Sequence, residues 1–304
     1  MADALLALAE TDVREPIPAT ALLAALQTPP FVLVPGTFNT RDLGLLSVLG
    51  KGRGAAAEGI RPGFIFRSGG LEALGRSADG QAVLRDSLRV RRVFDLRSRE
   101  EHARAADPAV EGIEGVWSGG DENGAGGAAE ANPMLDLDLF VEGQGERGYV
   151  GMYMDVLDKY RGSFREVLAS VRDRPGEAIL FHCTAGRDRT GVLAGLLETL
   201  AGYDADTVRA DFLLSRIGTE VAREHLLGFA RKYSKGSAGD GDGSASFGEV
   251  PGFLNLVSLR GVCWDAFVEA VGEKFGGFEG YVTKVLGFSA EDLVVIKKNL
   301  TTAP

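Results

Sequence analysis

Short runs of apolar residues alternate along the chain with longer segments in which apolar residues return every three or four positions. The short runs are bounded by turn residues and predict buried strands near residues 31–34, 63–67, 92–96 and 178–183. Helical spacing is clearest between Tyr149 and Arg172 and in TGVLAGLLETLAG, which predicts a helix stopped by Gly202. Because strands and helices alternate, we expect an α/β domain.

The same pattern divides the chain into an N-terminal helical extension, residues 1–29, and a single domain, residues 30–304. The extension contains two short apolar segments that predict helices and ends at Pro29-Pro30. Within the domain, stretches rich in glycine and polar residues predict loop insertions near 111–147 and 233–250.

The charge and the cysteine content exclude several classes of protein. The chain has 33 basic and 43 acidic side chains and a net charge of −10, which argues against nucleic-acid binding. No long apolar stretch is present, so no membrane span is expected. Two cysteines, Cys183 and Cys263, do not make a disulfide framework, and the N-terminus does not resemble a signal peptide. These features predict a cytoplasmic protein. Cys263, in the apolar segment GVCWDAF, is predicted to be a core residue.

The segment HCTAGRDRTG, residues 182–191, lies between a predicted strand and a predicted helix. A bend that leads into a helix N-terminus turns successive backbone N–H groups inward, and with the helix dipole these donors form an anion site. We expect this site to bind a phosphate through a loop that consists of Thr184, Ala185, Gly186 and Arg187, closed by the guanidinium of Arg189.

Cys183 is placed at the base of this loop, where the same donors favour its thiolate. A thiolate beneath a bound phosphate attacks phosphorus and forms a cysteinyl-phosphate, which water then hydrolyses. Thr190 is expected to donate its hydroxyl to the sulfur, and His182 to order the loop by hydrogen bonds.

The leaving oxygen also needs a proton from a general acid. Asp188, inside the loop, is the first candidate, and Asp95, at the end of the VFDL strand, is the second. Acidic residues of the 121–138 segment, such as Asp136 and Asp138, come third.

The complete HCTAGRDRTG segment resembles the signature loop of cysteine-dependent protein tyrosine phosphatases. It is most similar to the atypical tyrosine and dual-specificity phosphatases of bacteria and fungi, whose loop usually reads HCxAGKDRTG. Three further segments resemble that family: FNTRDLG at 38–44, FRSGGLEAL at 66–74 and VFDLRSREE at 93–101. The resemblance covers about residues 30–300.

This resemblance implies a central, mostly parallel sheet flanked by helices, with additional C-terminal helices. It also implies hydrolysis of phosphomonoesters without a metal or other cofactor, with Cys183 as nucleophile, Arg189 as phosphate ligand and Asp188 as acid. The usual loop lysine is Arg187 here, and the planar guanidinium differs in geometry from an ammonium group.

Four polar residues outside the loop are candidates for supporting it by hydrogen bonds, or else for ordinary turn and ion-pair roles: Asn39, Arg41, Asp42 and Arg67. A zinc site is not expected, because no ligand spacing links His102 or His225 to Cys183.

Three functions remain open at this point. The first is a phosphatase acting on phosphotyrosine-type substrates, with dual specificity, phosphoinositides or small-metabolite phosphates as alternatives. The second is a phosphate-binding module without catalysis, and the third is a sulfur-transfer enzyme of the rhodanese type.

Overall fold

The computed structural model describes residues 2–49, 59–118, 135–232, 234–235 and 250–304. The helices of these residues are α1 (Ala2–Ala9), α2 (Ala19–Leu26), α3 (Ala78–Ala82), α4 (Arg99–Arg104), α5 (Glu146–Lys159), α6 (Arg161–Asp173), α7 (Asp188–Leu200), α8 (Ala205–Gly218), α9 (Arg223–Lys232), α10 (Phe253–Val257), α11 (Gly261–Phe275), α12 (Phe278–Lys284) and α13 (Ala290–Thr301). Within the described part of the chain, no helix is long and apolar enough to cross a membrane.

A five-stranded sheet lies at the centre of the molecule, in the order β1–β2–β6–β3–β4. Its strands are β1 (Arg41–Asp42), β2 (Ile65–Ser68), β3 (Val90–Asp95), β4 (Glu114–Trp117) and β6 (Ala178–His182). β1 runs antiparallel to β2, and all the other pairs are parallel. A separate parallel pair joins β5 (Leu135–Asp136) to β7 (Ser234–Lys235). The predicted α/β class with a mostly parallel sheet is therefore confirmed.

The central strands are buried on both faces, as in other parallel sheets covered by helices. In β6, the side chains of Ile179 and Phe181 join the larger apolar core, whereas Leu180, with the opposite orientation, joins a smaller one. The larger core includes α7, which packs closely against α11, since a Cβ at Gly195 would lie 2.4 Å from the Trp264 ring.

Two sequence-based expectations need correction. Residues 31–34 do not form a strand; Phe31 makes an isolated antiparallel bridge to Arg41, because the prolines on either side interrupt a regular ladder. The expected loop insertion at 111–147 contains β4, β5, a 3₁₀ turn and the first residues of α5. Its residues 119–134, and residues 233 and 236–249 of the second expected insertion, lie outside the described part of the chain.

Candidate active site

The HCTAGRDRTG segment connects β6, the middle strand of the sheet, to α7. Cys183 directly follows β6 and is buried, with only 2% of its surface exposed. The chain then turns at Gly186, whose φ is +63°, and enters α7 at Asp188. A Cβ at Gly186 would lie 2.2 Å from the carbonyl oxygen of Ser68, so both the backbone conformation and the space require glycine here.

Two side chains bind the outer face of this loop through its carbonyl groups. The side-chain nitrogen of Asn39, Nδ2, donates to the carbonyl oxygens of Ala185, at 3.1 Å, and Gly186, at 3.0 Å. Nη2 of Arg67 donates to the Gly186 carbonyl at 2.8 Å. With these carbonyls held outward, the N–H groups of the loop are available on the opposite side for an anion.

Both supporting residues are anchored by a buried charge cluster. Arg41 donates to Asn39 and, through Nε, to Asp211 at 2.8 Å; Arg67 pairs with the other oxygen of Asp211. Glu198 lies beside this cluster, where burial and the neighbouring Asp211 raise the pKa of its carboxyl well above the usual range. Three of the four expected support residues, Asn39, Arg41 and Arg67, thus form one network behind the loop.

Asp42, the fourth expected support residue, has a different role. Its carboxylate accepts the N–H groups of Gly44 and Gly63, both at 2.8 Å. It therefore orders the turns on either side of the segment between β1 and β2 and does not contact the signature loop.

Arg189 is held by Glu101, a residue that the sequence analysis did not select. Nη1 of Arg189 donates to Oε2 at 2.6 Å and Nη2 to Oε1 at 2.9 Å, while the hydroxyl of Thr184 donates to the same carboxylate at 2.5 Å. Burial opposes the charge of Glu101, but Arg189 keeps the pKa of this carboxyl well below its usual range. Glu101 also closes a capping box with Ser98 at the start of α4, which fixes its backbone. The Ser-x-x-Glu spacing was the sequence signal for this residue.

His182 is fully buried, and its Nε2 forms a hydrogen bond of 2.6 Å with the carboxylate of Asp107. Asp107 is a second residue that the sequence analysis did not select. Arg97 binds the other oxygen of Asp107 at 2.7 Å and also binds both oxygens of Asp95.

A possible metal site lies in the same cluster, because Asp95, Asp107 and His182 place ligand atoms within 4.8 Å of one another. However, the guanidinium of Arg97 already supplies the positive charge shared by the two carboxylates, so this cluster does not fit a metal.

The first and second candidates for the acid differ in their surroundings. Asp188 lines a cavity together with Cys183, and its carboxylate accepts a hydrogen bond from the hydroxyl of Tyr153 at 2.9 Å. Asp95 is buried behind the loop and does not line that cavity. Burial would raise the pKa of Asp95, but His182 and Arg97 hold it at about 2.

Arg187 departs from its expected role as a phosphate ligand. Its Nη1 and Nη2 donate to the carbonyl oxygens of Val257, at 3.0 Å, and Leu256, at 3.1 Å, and its Nε faces Asp188. The fork geometry of the guanidinium matches two adjacent carbonyls at the end of α10. The side chain therefore ties α10 to the signature loop, although Arg187 also lines the cavity over the loop.

Thr190 is buried at the start of α7. Its hydroxyl has no hydrogen-bond partner among the described residues, so the expected bond to the Cys183 sulfur is not made in this structure. A buried hydroxyl without a partner is costly, and it is a ready donor once a charged sulfur or a phosphate is present.

The cavity over the loop has a volume of about 140 Å³. Cys183, Thr184, Ala185, Asp188 and Arg189 line its base. The other walls combine aliphatic side chains from α9 and the segment 256–259 with three arginines, Arg187, Arg216 and Arg223. The cavity therefore has a positively charged base next to Cys183 and mainly aliphatic walls.

Comparison with known proteins decides the family. Residues 32–302 match the family model described as "Tyrosine phosphatase family". The chain belongs to the tyrosine phosphatase family. Among its relatives, a tyrosine-protein phosphatase of Nostoc commune is 28% identical over 230 residues, which are 76% of this chain and 72% of that protein. The triple specificity protein phosphatase PtpB of Mycobacterium tuberculosis is 30% identical over 211 residues, 64% of this chain and 72% of that protein.

This phosphatase is therefore a hydrolase of phosphorylated substrates, as the signature loop predicted. Cysteinyl-phosphate chemistry is general to the family, and the structure places Cys183 and Arg189 on one cavity. Sequence reasoning did not find three of the residues that contact the loop, namely Glu101, Asp107 and Tyr153.

Proposed function

We propose that this phosphatase hydrolyses aryl phosphate esters of the phosphotyrosine type, with Cys183 as nucleophile. The observation that carries the proposal is the position of Cys183, which is 2% exposed on a cavity with a polar base and apolar walls. A flat aromatic leaving group carries its phosphate further from the peptide backbone than a serine side chain does, and its ring matches aliphatic walls.

In the first step, the Cys183 thiolate attacks phosphorus while the bond from phosphorus to the leaving oxygen breaks. The N–H groups of residues 184–189 and the guanidinium of Arg189 bind the phosphate oxygens. Glu101 uses the Nη1 and Nη2 edge of Arg189, which leaves the edge formed by Nε and the second hydrogen of Nη2 as a fork for the phosphate.

Asp188 gives its proton to the leaving oxygen in this step and takes a proton from the attacking water in the next. Its place on the cavity supports this role, and the hydroxyl of Tyr153, whose pKa burial and Asp188 raise well above the usual value, stays protonated and orients the carboxylate. Water forms the new bond to phosphorus in the second step as the phosphorus–sulfur bond breaks. The Thr190 hydroxyl, which is buried without a partner among the described residues, is proposed to donate to the sulfur as it leaves.

The hydrogen-bond partners of His182 favour a positioning role. Its two ring nitrogens face Asp107 and, at 3.4 Å, the carbonyl of Cys183, so it holds the end of β6 in place. Asp95 is proposed to act through this same network, because it pairs with Arg97 and His102 and lies away from the cavity.

A substrate panel tests the proposal: a phosphotyrosyl peptide, the matched phosphothreonyl peptide, a phosphoinositide and a sugar phosphate, each assayed with a chelator present. We expect the largest kcat/KM for the phosphotyrosyl peptide, inhibition by vanadate, and no turnover by Cys183→Ser. A preference for the phosphoinositide or the sugar phosphate would overturn the substrate assignment. Full activity of Cys183→Ser would overturn the mechanism, and binding without turnover by the wild-type protein would identify a phosphate-binding module.

A further inference from the structure

The N-terminal extension reaches the active-site cavity. Val13, in the segment between α1 and α2, lines the same cavity as Cys183 and Arg189, and only 9% of its surface is exposed. The match to the family model begins at residue 32, so this part of the cavity wall lies outside the matched region.

Two arginines hold the segment 11–15 in place through its backbone. Arg216, on α8, donates to the carbonyl oxygens of Thr11, at 3.1 Å, and Glu15, at 2.8 Å. Arg223, at the start of α9, donates to the carbonyl oxygens of Val13 and Arg14, both at 2.8 Å. These bonds join successive carbonyls to rigid helices, so the position of Val13 is set by the backbone as well as by packing.

Glu220 completes this arrangement. Its carboxylate pairs with Arg216 and accepts the N–H of Ile17 at 2.8 Å. We refer to Arg216, Glu220 and Arg223 as the clamp. Arg216 and Arg223 also border the cavity, but the donors described above are used on the N-terminal segment, which favours a structural role for them over direct binding of a phosphate.

We propose that Val13 is a specificity-determining residue of this enzyme, positioned by the clamp so that the N-terminal extension forms the wall that contacts the leaving group of the substrate. The inference rests on the proposed phosphatase function. A cavity of about 140 Å³ is small beside the usual 300 Å³ or more of a ligand pocket. The size of one wall residue therefore decides which leaving groups fit between Val13 and the aliphatic side chains of α9.

A size series at residue 13 tests this inference. The wild-type protein, Val13→Ala, Val13→Phe and Val13→Trp are assayed with phenyl phosphate and with the bicyclic 4-methylumbelliferyl phosphate. We expect the ratio of kcat/KM for the bicyclic ester to that for the phenyl ester to fall in the order Ala, Val, Phe, Trp, by about tenfold or more across the series. The matched control is Val294→Trp, at a valine of α13 that is 67% exposed and does not line the cavity, for which the ratio stays at the wild-type value.

A binding measurement covers the case in which the large side chains prevent folding. In Cys183→Ser protein, bound 4-methylumbelliferyl phosphate is expected to slow tryptic cleavage after Arg14. The substitution Arg223→Lys is expected to speed this cleavage, because a lysine cannot bind the carbonyls of Val13 and Arg14 with one planar fork.

Failure of the inference and failure of the proposed function give different results. If the wild-type protein hydrolyses neither ester, the proposed function fails. If it hydrolyses both, and neither the ratio nor the cleavage after Arg14 responds, then the proposed function stands and the role of Val13 is wrong.

Discussion

Glu101 binds Arg189 through both of its carboxylate oxygens, at 2.6 and 2.9 Å, and so fixes the plane of a guanidinium that lines the same cavity as Cys183. The two residues are 88 positions apart in the chain, on α4 and α7. Because one edge of the guanidinium is used on Glu101, the other edge is presented in a fixed direction, and phosphate binding does not need to order a free arginine side chain.

Glu101→Gln is expected to lower kcat/KM for an aryl phosphate by about 100-fold. Arg189 loses its charged, two-pronged partner, and a misplacement of about 1 Å at a reacting centre can cost this much. Steady-state kinetics on the folded variant measures this. Glu100→Gln is the matched control, since Glu100 is an exposed neighbour that pairs only with Arg104 in the described structure. If Glu101→Gln retains wild-type kcat/KM, the orientation of Arg189 does not depend on this pair.

Asp188→Asn is expected to slow the hydrolysis of esters with poor leaving groups by about 10²- to 10⁴-fold, and that of activated esters much less, because only a poor leaving group needs the proton. The measurement is the dependence of kcat on leaving-group pKa, and Asp206→Asn, at an exposed position of α8, is the control. Equal losses for all the esters would shift the role of acid to Asp95 or to the 121–138 segment.

Gly186→Ala is expected to destabilise the protein and to lower its activity. The substitution adds a side chain both at a positive φ and against the Ser68 carbonyl. Gly63→Ala separates the two causes, because Gly63 has a φ of +76° but open space around it. We expect Gly63→Ala to lower the free energy of unfolding by about 1 kcal/mol and Gly186→Ala to lower it by more. Equal losses in denaturant unfolding would mean that the contact with Ser68 is not important.

The pair formed by His182 and Asp107 predicts a pH-dependent contribution to stability. Burial lowers the pKa of His182, but the carboxylates of Asp107 and Asp95 raise it more, and the net shift is upward from 6.5. A raised pKa in the folded state means that the pair stabilises the fold fully below the unfolded value and loses this contribution as the pH rises through the folded value.

Asp107→Asn is therefore expected to cost more free energy of unfolding at about pH 6 than at about pH 9. The ion pair with Arg97 is lost at both pH values, so the difference between the two costs reports on His182. Asp155→Asn, at an exposed site on α5, serves as the control. A cost that does not change with pH would show that His182 is neutral in the folded protein throughout this range.

The parts of the site that were predictable from the sequence are local. β6, the bend and α7 follow one another within a short segment, and their apolar periodicity and the signature loop indicate both the fold class and the nucleophile. The error at residues 31–34 has a local cause too, because apolar character alone does not show that Pro30 and Pro35 prevent regular pairing.

The residues that were missed act across long sequence separations. Asp107 reaches His182 over 75 positions and Tyr153 reaches Asp188 over 35. Nothing in the local pattern marks these side chains, since each lies on an ordinary polar or helical position until the sheet and helices pack. Arg187 shows the opposite case, in which a residue inside the loop has its side chain bound to α10.

The central claim is that the sulfur of Cys183 takes the phosphoryl group from the substrate. The most direct measurement is rapid acid quenching during turnover of an aryl phosphate, followed by peptide mapping by mass spectrometry. We predict a phosphate adduct on the peptide that contains Cys183, absent from Cys183→Ser protein. An adduct on any other residue, or an adduct that persists in Cys183→Ser, would contradict the account.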